Sequence, residues 1–388
     1  MKLRAAERAP ESWTVRTVAE VCIRVTSGGT PSRKVKEYYG EGFHWLKTKE
    51  LDDTWVFNSE ETITQAGLAG SSAKLLPANT VMMAMYGATV GKLALLGREM
   101  ACNQAACAMI VDPEVADFRY LFYQLLNARS QIVDMANGAA QQNLSARTIK
   151  DLEVPLPSLP EQRAIAATLS ALDDKTEANR RAILKAQSLG DALFLAAADG
   201  TRTIAEVASI TMGSSPKGEA LNEAGRGTPF YQGTRDFGFR YPSLRVWTDD
   251  PTRLASKNDT LMSVRAPVGA LNRAASECCI GRGVAAIHSD DYPSTVYYAM
   301  RASASTWDMY QGEGTVFAGV NKKDVHRAEI RWVSPERGAE LEGLLSALDD
   351  RIESLELESH RLEALRDTLL PELLSGRIRV PVLQEEAS

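Results

Sequence analysis

The chain has 388 residues, more than one hydrophobic core usually serves, so two or more domains are expected. A hydrophobic fraction of 44% and a charged fraction of 24% exclude a mainly disordered protein. The net charge of -6 has the wrong sign for phosphate neutralisation, but it is unevenly spread: Lys+Arg against Asp+Glu is 17 and 17 for residues 1–160, 5 and 6 for 161–200, 16 and 14 for 201–334, and 6 and 13 for 335–388.

The acidity therefore sits almost wholly in the last segment, where a protein partner is a better expectation than DNA. The earlier segments are neutral to slightly basic and could lie along DNA with one face. No stretch reaches the ~20 apolar residues of a membrane-spanning helix. The N-terminal MKLRAAERAPES has no apolar core behind its basic residues, so no secretory signal is expected and the cytoplasm is the default compartment. The cysteines (Cys22, Cys102, Cys107, Cys278 and Cys279) form no CxxC pair and read as reduced, buried small hydrophobes.

Residues 1–157 read as a first α+β domain, in which short apolar runs such as Thr80–Tyr86 alternate with Gly-rich turns. Aromatic and basic residues interleave in its loops (Tyr38, Tyr39, Trp45, Lys47, Lys49). Asn and Gln pair bidentately with adenine and Arg with guanine, so Lys47, Lys49, Gln104, Gln141, Gln142 and Asn143 are candidate DNA contacts. For any one of them a surface or capping role is the alternative. Gly87-Ala-Thr-Val-Gly-Lys-Leu93 is one residue short of a phosphate-binding loop and lacks its Ser/Thr, and is rejected as one.

A proline-punctuated boundary, Leu-Pro-Ser-Leu-Pro160, precedes a long helix within residues 158–200. Ile165, Leu169, Leu172, Thr176, Asn179, Ile183 and Ala186 alternate steps of four and three, as a coiled-coil seam requires.

Residues 201–334 read as a second domain of the same class. Its loops carry Tyr231, Arg235, Phe237, Arg240, Tyr241 and Arg245, and its candidate DNA contacts are Gln232, Arg235, Arg265, Arg282, Lys322 and Lys323. Residues 335–388 hold a second long helix and a tail. Its seam runs through Leu341, Leu345, Leu348, Ile352, Leu355, Ser359, Leu362 and Leu369, and it should stop near Pro371 or Gly376.

The two halves repeat one another. LSALDD occurs at Leu169–Asp174 and again at Leu345–Asp350, an offset of 176 that also pairs Glu177 with Glu353, Asp191 with Asp367 and Leu193 with Leu369. Upstream, Val18-Ala-Glu-Val21 resembles Ile204-Ala-Glu-Val207, and Thr26–Pro31 resembles Thr211–Pro216. Further on, Asn79-Thr-Val-Met82 aligns with Asp259-Thr-Leu-Met262. The helices match better than the domains before them, so one module varies and the other holds geometry. At 1.5 Å per residue, ~35 residues make a spacer of ~50 Å, one to one and a half turns of B-DNA, if the helices pair antiparallel. Ordinary amphipathic helices packing on separate domains are the alternative.

Searching for chemistry returns no GxGxxG, no HExxH, no Asn/Asp-Pro-Pro-Tyr/Phe methyltransferase motif and no defensible nuclease carboxylate cluster. His44, His288, His326 and His360 are far apart and read as packing or surface residues. The stretch Gly138-Ala-Ala-Gln-Gln-Asn-Leu144 through Leu152–Pro157 to Leu159-Pro-Glu-Gln-Arg163 resembles the junction of specificity subunits of Type I restriction-modification enzymes. Leu369–Ile378 resembles their C-terminal signature, and Ser263–Gly269 with Ile280–Gly283 their recognition-domain core. The second junction, Ile330–Arg337, departs from the first in lacking Pro-Leu-Pro and Glu-Gln-Arg.

The resemblance implies two tandem target-recognition domains separated by two long helices pairing as an antiparallel coiled coil. It implies a non-catalytic subunit whose domains each read half of a split double-stranded DNA target. Its helices would set the gap and dock two methyltransferase (modification) subunits, which restriction (translocase-nuclease) subunits can join. S-adenosylmethionine, ATP and Mg would belong to those partners, with no cofactor or metal in this chain. A coiled-coil scaffold of the same descent that does not bind DNA is the alternative.

Overall fold

The computed structural model describes residues 3–7, 9–137, 143–310 and 319–381. It divides into two compact units, Met1–Thr176 with Arg361–Ser388 and Glu177–His360, so that each long helix is shared between them. Gln141 and Gln142 lie outside the described residues. Among the described residues no helix is long and apolar enough to cross a membrane.

Each unit contains one variable domain closed by a two-stranded antiparallel ribbon. Thr14–Thr17 pairs with Glu153–Leu156, and Gly200–Thr203 pairs with Glu329–Trp332. The ribbon leads into a one-turn helix through a capping box in both cases, Thr17 with Glu20 and Thr203 with Glu206, which satisfies amides that a short helix leaves open. In the first unit a five-stranded sheet has the order Cys22–Ser27, Ala106–Val111, Val81–Ala84, Leu93–Leu96, Thr54–Val56, beside a three-stranded sheet centred on Tyr39–Leu46. In the second, a four-stranded sheet (Ser209–Met212, Val284–His288, Thr260–Ser263, Leu271–Arg273) accompanies a five-stranded one containing Thr228–Tyr231 and Cys278–Ile280. Val81–Ala84 and Thr260–Ser263 are buried throughout, since both sheet faces are covered.

The strands correct the alignment of the two halves by one residue. Asn79 and Asn258 share a left-handed turn with φ of 65° and 71°. Met85 and Val264 then accept the same hydrogen bond, from the N–H of Leu144 and Val320 respectively. Met83 therefore corresponds to Met262, both in the main core of their unit, and Met82 corresponds to Leu261 on the opposite face. Aligning the letters Asn79-Thr with Asp259-Thr would put every side chain on the wrong face, because strand periodicity is two.

The long helices span Leu159–Ala197 and Pro335–Leu374 and pair antiparallel within each unit. In the first, Ile165 and Leu169 share a core with Leu370, Leu373 and Leu374, and Arg366 reaches Asp173 at 2.9 Å. In the second, Ile183 clusters with Ile352 and Leu355, Asn179 donates to Glu358 at 2.9 Å, and Phe194 shares a core with Leu341 and Leu345. Leu172, Leu348 and Leu362 are half-buried. Gly376, at φ 72°, follows the end of the second helix, which carries Pro371 inside its last turn.

The repeated LSALDD holds each helix to its own domain. The leucines Leu169 and Leu345 are fully buried, and the first aspartate takes a tyrosine hydroxyl from the domain helix opposite: Tyr123 to Asp173 at 2.6 Å, Tyr298 to Asp349 at 3.2 Å. Around Asp349 the second unit adds a buried cluster. Arg240 donates to Asp349 at 2.7 Å and to the Tyr298 hydroxyl at 3.2 Å, and Arg273 pairs with the other Asp349 oxygen. Burial pushes the Tyr298 phenol up to about 12, so it remains a donor. Gly190 passes so close to Tyr298 that a Cβ would meet its ring at 2.5 Å.

Arg240, Tyr231 and Tyr241, read from sequence as loop residues, are buried, as is Trp45 in the first unit, and Tyr231 and Trp45 lie in strands. Part of the acidity of the second helix is likewise spent inside its unit. Glu342 accepts the backbone N–H groups of Ser294 and Thr295 at 2.9 and 2.7 Å, capping the helix Pro293–Ala302, and Glu353 pairs with Lys257.

Asp349→Ala leaves two buried guanidinium groups unpaired and should cost roughly 3–5 kcal/mol, whereas Asp350→Ala, at an exposed position, should stay within about 0.5 kcal/mol. Denaturant midpoints of the two variants measure the difference; equal losses would refute the docking role of Asp349.

Burial also pushes the Glu356 carboxyl up to about 7, against the pull of the Arg240 backbone N–H and guanidinium. The folded chain thus keeps a proton that the unfolded chain has released, and this group's stabilisation falls as pH rises from about 4.5 to about 7. Glu356→Gln should remove that slope and gain stability over the parent above about pH 7. Parallel pH–stability curves for parent and variant would contradict the assignment.

Candidate nucleic-acid interface

The loops that leave three strands of the second unit converge. Gln232 and Arg235 follow Thr228–Tyr231, Arg265 follows Thr260–Ser263, and Arg282 follows Cys278–Ile280. Together they line a cavity of about 510 Å³ that also includes Asp236, Arg245 and the Gly283 backbone. Four residues proposed separately from sequence, spread over fifty positions, thus share one concave surface.

The charges in this cavity are not equivalent. Asp236 is buried and fully used: one oxygen takes Arg245 at 2.7 Å, the other the backbone N–H of Gln232 at 2.8 Å. Arg245 is thereby neutralised, and it is a lining residue that sequence reasoning had not placed among the candidates. Arg235, Arg265 and Arg282 are exposed and have no carboxylate partner among the described residues. The Gln232 side-chain oxygen accepts from the Ser215 hydroxyl at 3.1 Å, leaving its amide nitrogen available. Lys322 and Lys323 are exposed at the start of the helix Lys322–Arg327, outside the cavity lining.

The same strand ends in the first unit carry other chemistry. Backbone pairing makes Tyr86 the counterpart of Arg265, since each bridges the residue before a buried Leu144 or Val320: Tyr86 with Asn143, Arg265 with Gly319. Gln104 corresponds to Arg282, and Lys47 to Gln232, through the parallel pairings of Trp45 with Ala101 and Phe230 with Cys279. Tyr86 donates its hydroxyl to the Gln104 carbonyl at 2.7 Å, and the Gln104 side chain accepts from Thr30. Gln104, Tyr86 and Asn143 are therefore neighbours. Lys47, by contrast, is half-buried and paired with Glu61, which also takes Arg33 at 2.6 Å, and Lys49 pairs with Glu60. The Glu61 carboxyl is held below its usual range by Arg33 and Lys47, so these cations are committed within the domain.

Among the described residues no group of His, Cys, Asp or Glu is placed to hold a metal. Cys102, Cys107 and Cys278 are buried thiols pushed up to about 12, unsuited to nucleophilic work. His288 is held between Asp259 and Asp290, and the hydrogen bond to Asp259 raises its pKa. The junction motif has a structural use: Gln162 is buried, accepting the N–H of Asp117 at 3.1 Å and donating to the Pro157 carbonyl at 3.0 Å, while Glu161 pairs with Arg379. At its counterpart in the second half, Gly338, a Cβ would lie 3.1 Å from the Tyr292 ring, so the ring takes the place of a side chain.

Comparison with known proteins places this architecture. Residues 10–186 match the family model of the Type I restriction modification DNA specificity domain. A Methanocaldococcus jannaschii protein named as the MjaX type I restriction enzyme specificity subunit is 28% identical over 410 residues, covering 96% of this chain and 95% of that protein. The EcoR124I/EcoR124II specificity subunit of Escherichia coli is 27% identical over 155 residues, 38% of each chain. A crystal structure of a Type I restriction-modification S subunit from M. genitalium shares the fold, with a TM-score of 0.65 at 21% identity over 93% of this chain and 96% of that one. With its duplicated domains and paired helices, the chain is thus similar over nearly its whole length to a specificity subunit of a Type I restriction-modification system, and its first half matches the specificity-domain model.

Proposed function

We propose that this chain is a specificity subunit that reads a bipartite double-stranded DNA target, one half through the strand-end loops of residues 1–157 and the other through those of residues 201–334. The observation that carries the reading is the cavity of the second unit, where Arg235, Arg265 and Arg282 converge without carboxylate partners. Unneutralised guanidinium groups in a concave surface are what a phosphate or base edge requires. A scaffold that never meets DNA would gain nothing from them, so that alternative is not favoured. The unlike side chains at equivalent positions of the two domains support unlike half-targets.

In this reading the subunit catalyses nothing and holds no cofactor. The two long helices set the gap between half-targets and dock two methyltransferase subunits, which carry S-adenosylmethionine, and restriction subunits that use ATP and Mg can join the complex in the cytoplasm. The exposed faces of the helices, including Arg163, Leu184, Leu189, Leu357 and Leu365, are available for such docking.

Co-expression with its proposed methyltransferase partner, followed by sequencing of modified bases, should give a two-part target with a fixed gap. Removing one heptad from the middle of either long helix should change that gap or abolish modification without altering the half-target sequences. An active deletion variant with an unchanged gap would refute the spacing role.

Affinity of the complex for its target should fall steeply with salt, the log–log slope steepening by about 0.9 for each phosphate contact. Replacing Lys322 and Lys323 together by alanine should lower that slope without changing sequence preference if they meet the backbone. Band shifts at several salt concentrations provide the measurement, and salt-insensitive binding would count against the DNA reading as a whole.

A further inference from the structure

We propose that the cavity of the second unit reads guanine, with Arg265 and Arg282 as the residues that determine the preference. The assignment rests on the DNA-recognition reading above and adds the base that this half-target contains.

The cavity offers donors and almost no free acceptor. Arginine carries five N–H donors and no acceptor, and Arg235, Arg265 and Arg282 all reach this surface. The one carboxylate in the lining, Asp236, is closed off by Arg245 and by the Gln232 backbone N–H. The side-chain oxygen of Gln232 is engaged by Ser215, which leaves an amide donor.

Of the four bases, guanine alone presents two acceptors and no donor on its major-groove edge, N7 and O6. Adenine and cytosine each present an amino donor, which would face guanidinium groups with nothing to receive it. Thymine offers one acceptor beside a methyl group. A surface dominated by guanidinium donors, with the Thr234 hydroxyl as its one side-chain acceptor without an assigned partner, therefore favours guanine, because an unpaired desolvated donor is costly.

The counterpart surface in the first unit does not share the property. Where the second unit has Arg265 and Arg282, the first has the Tyr86 phenol and the Gln104 amide, which contain acceptors as well as donors, and Lys47 is neutralised by Glu61. The guanine preference is accordingly confined to one half of the target.

The test uses the complete complex with its methyltransferase and a target library randomised in both halves. The half-target whose preference responds to changes in residues 201–334 should contain guanine. Arg265→Ala or Arg282→Ala should reduce discrimination at a guanine position by about 5- to 150-fold, with the other half-target unaffected. Both residues are exposed and free of ion pairs among the described residues, so the thermal midpoint should not move. If both variants keep the base preference and only lower the salt slope, the arginines meet phosphate and the proposal falls. A half-target without guanine overturns it too. Loss of salt-sensitive binding by the unaltered complex would instead overturn the DNA reading itself, so the two failures are distinguishable.

Discussion

A hydrogen bond from a tyrosine to an aspartate, repeated once in each half, is the contact on which the arrangement of each unit depends. Tyr123 meets Asp173, and Tyr298 meets Asp349. Each tyrosine lies on the helix that backs its domain, and each aspartate on a long helix, one turn after a leucine buried in the domain core. The pair fixes both the rotation and the axial register of the long helix against its domain, because a one-residue slip would turn the aspartate by 100° and bury a different side chain. The hydrogen bond, part-buried in the first unit and buried in the second, holds each domain on its long helix beside close packing. The second unit strengthens the contact with Arg240 and Arg273, and Gly190 lets Tyr298 approach the backbone of the first long helix.

This contact explains which parts of the architecture were legible in the sequence. The LSALDD repeat stands out because both copies perform the same task against the same kind of surface. The heptad seam was legible for a related reason: Ile183, Ile352 and Leu355 recur at the spacing of one helix face. Seam periodicity, however, does not distinguish a helix partner from a domain. Leu169 and Leu345 satisfy the pattern while sitting in domain cores that also contain strand and ribbon residues. The strands were harder to align. Four buried residues in succession show no alternation, so matching letters gave a register one residue off, and only the left-handed turns at Asn79 and Asn258 locate the true correspondence.

Charge was the least transparent property. Composition alone reads the final segment as a free acidic surface, yet Asp349, Glu342, Glu353 and Glu356 are engaged with Arg240, Arg273, Lys257 and a helix N-terminus of the same unit. In the same way Lys47 and Lys49 count as basic residues in a tally but are neutralised in place, while Arg235, Arg265 and Arg282 are not. An ion pair joins residues distant in sequence, so which charges are spent and which are free becomes visible only once the strands have brought them together.

The departure at the second junction has a physical origin of the same kind. Gln162 secures the start of the first long helix by reaching the Asp117 N–H and the Pro157 carbonyl, which anchors a helix start following a proline-rich turn. At the matching position Gly338 removes the side chain and admits the Tyr292 ring, and Glu342, one turn further on, caps the neighbouring helix instead. One junction is thus held by an amide reaching the backbone, the other by an aromatic ring and a carboxylate. Both solutions fasten a helix to a domain, but they leave different surfaces beside the two helix starts. Any partner that docks at both junctions must therefore rely on what the two halves share, the exposed helix faces, more than on the junction residues in which they differ.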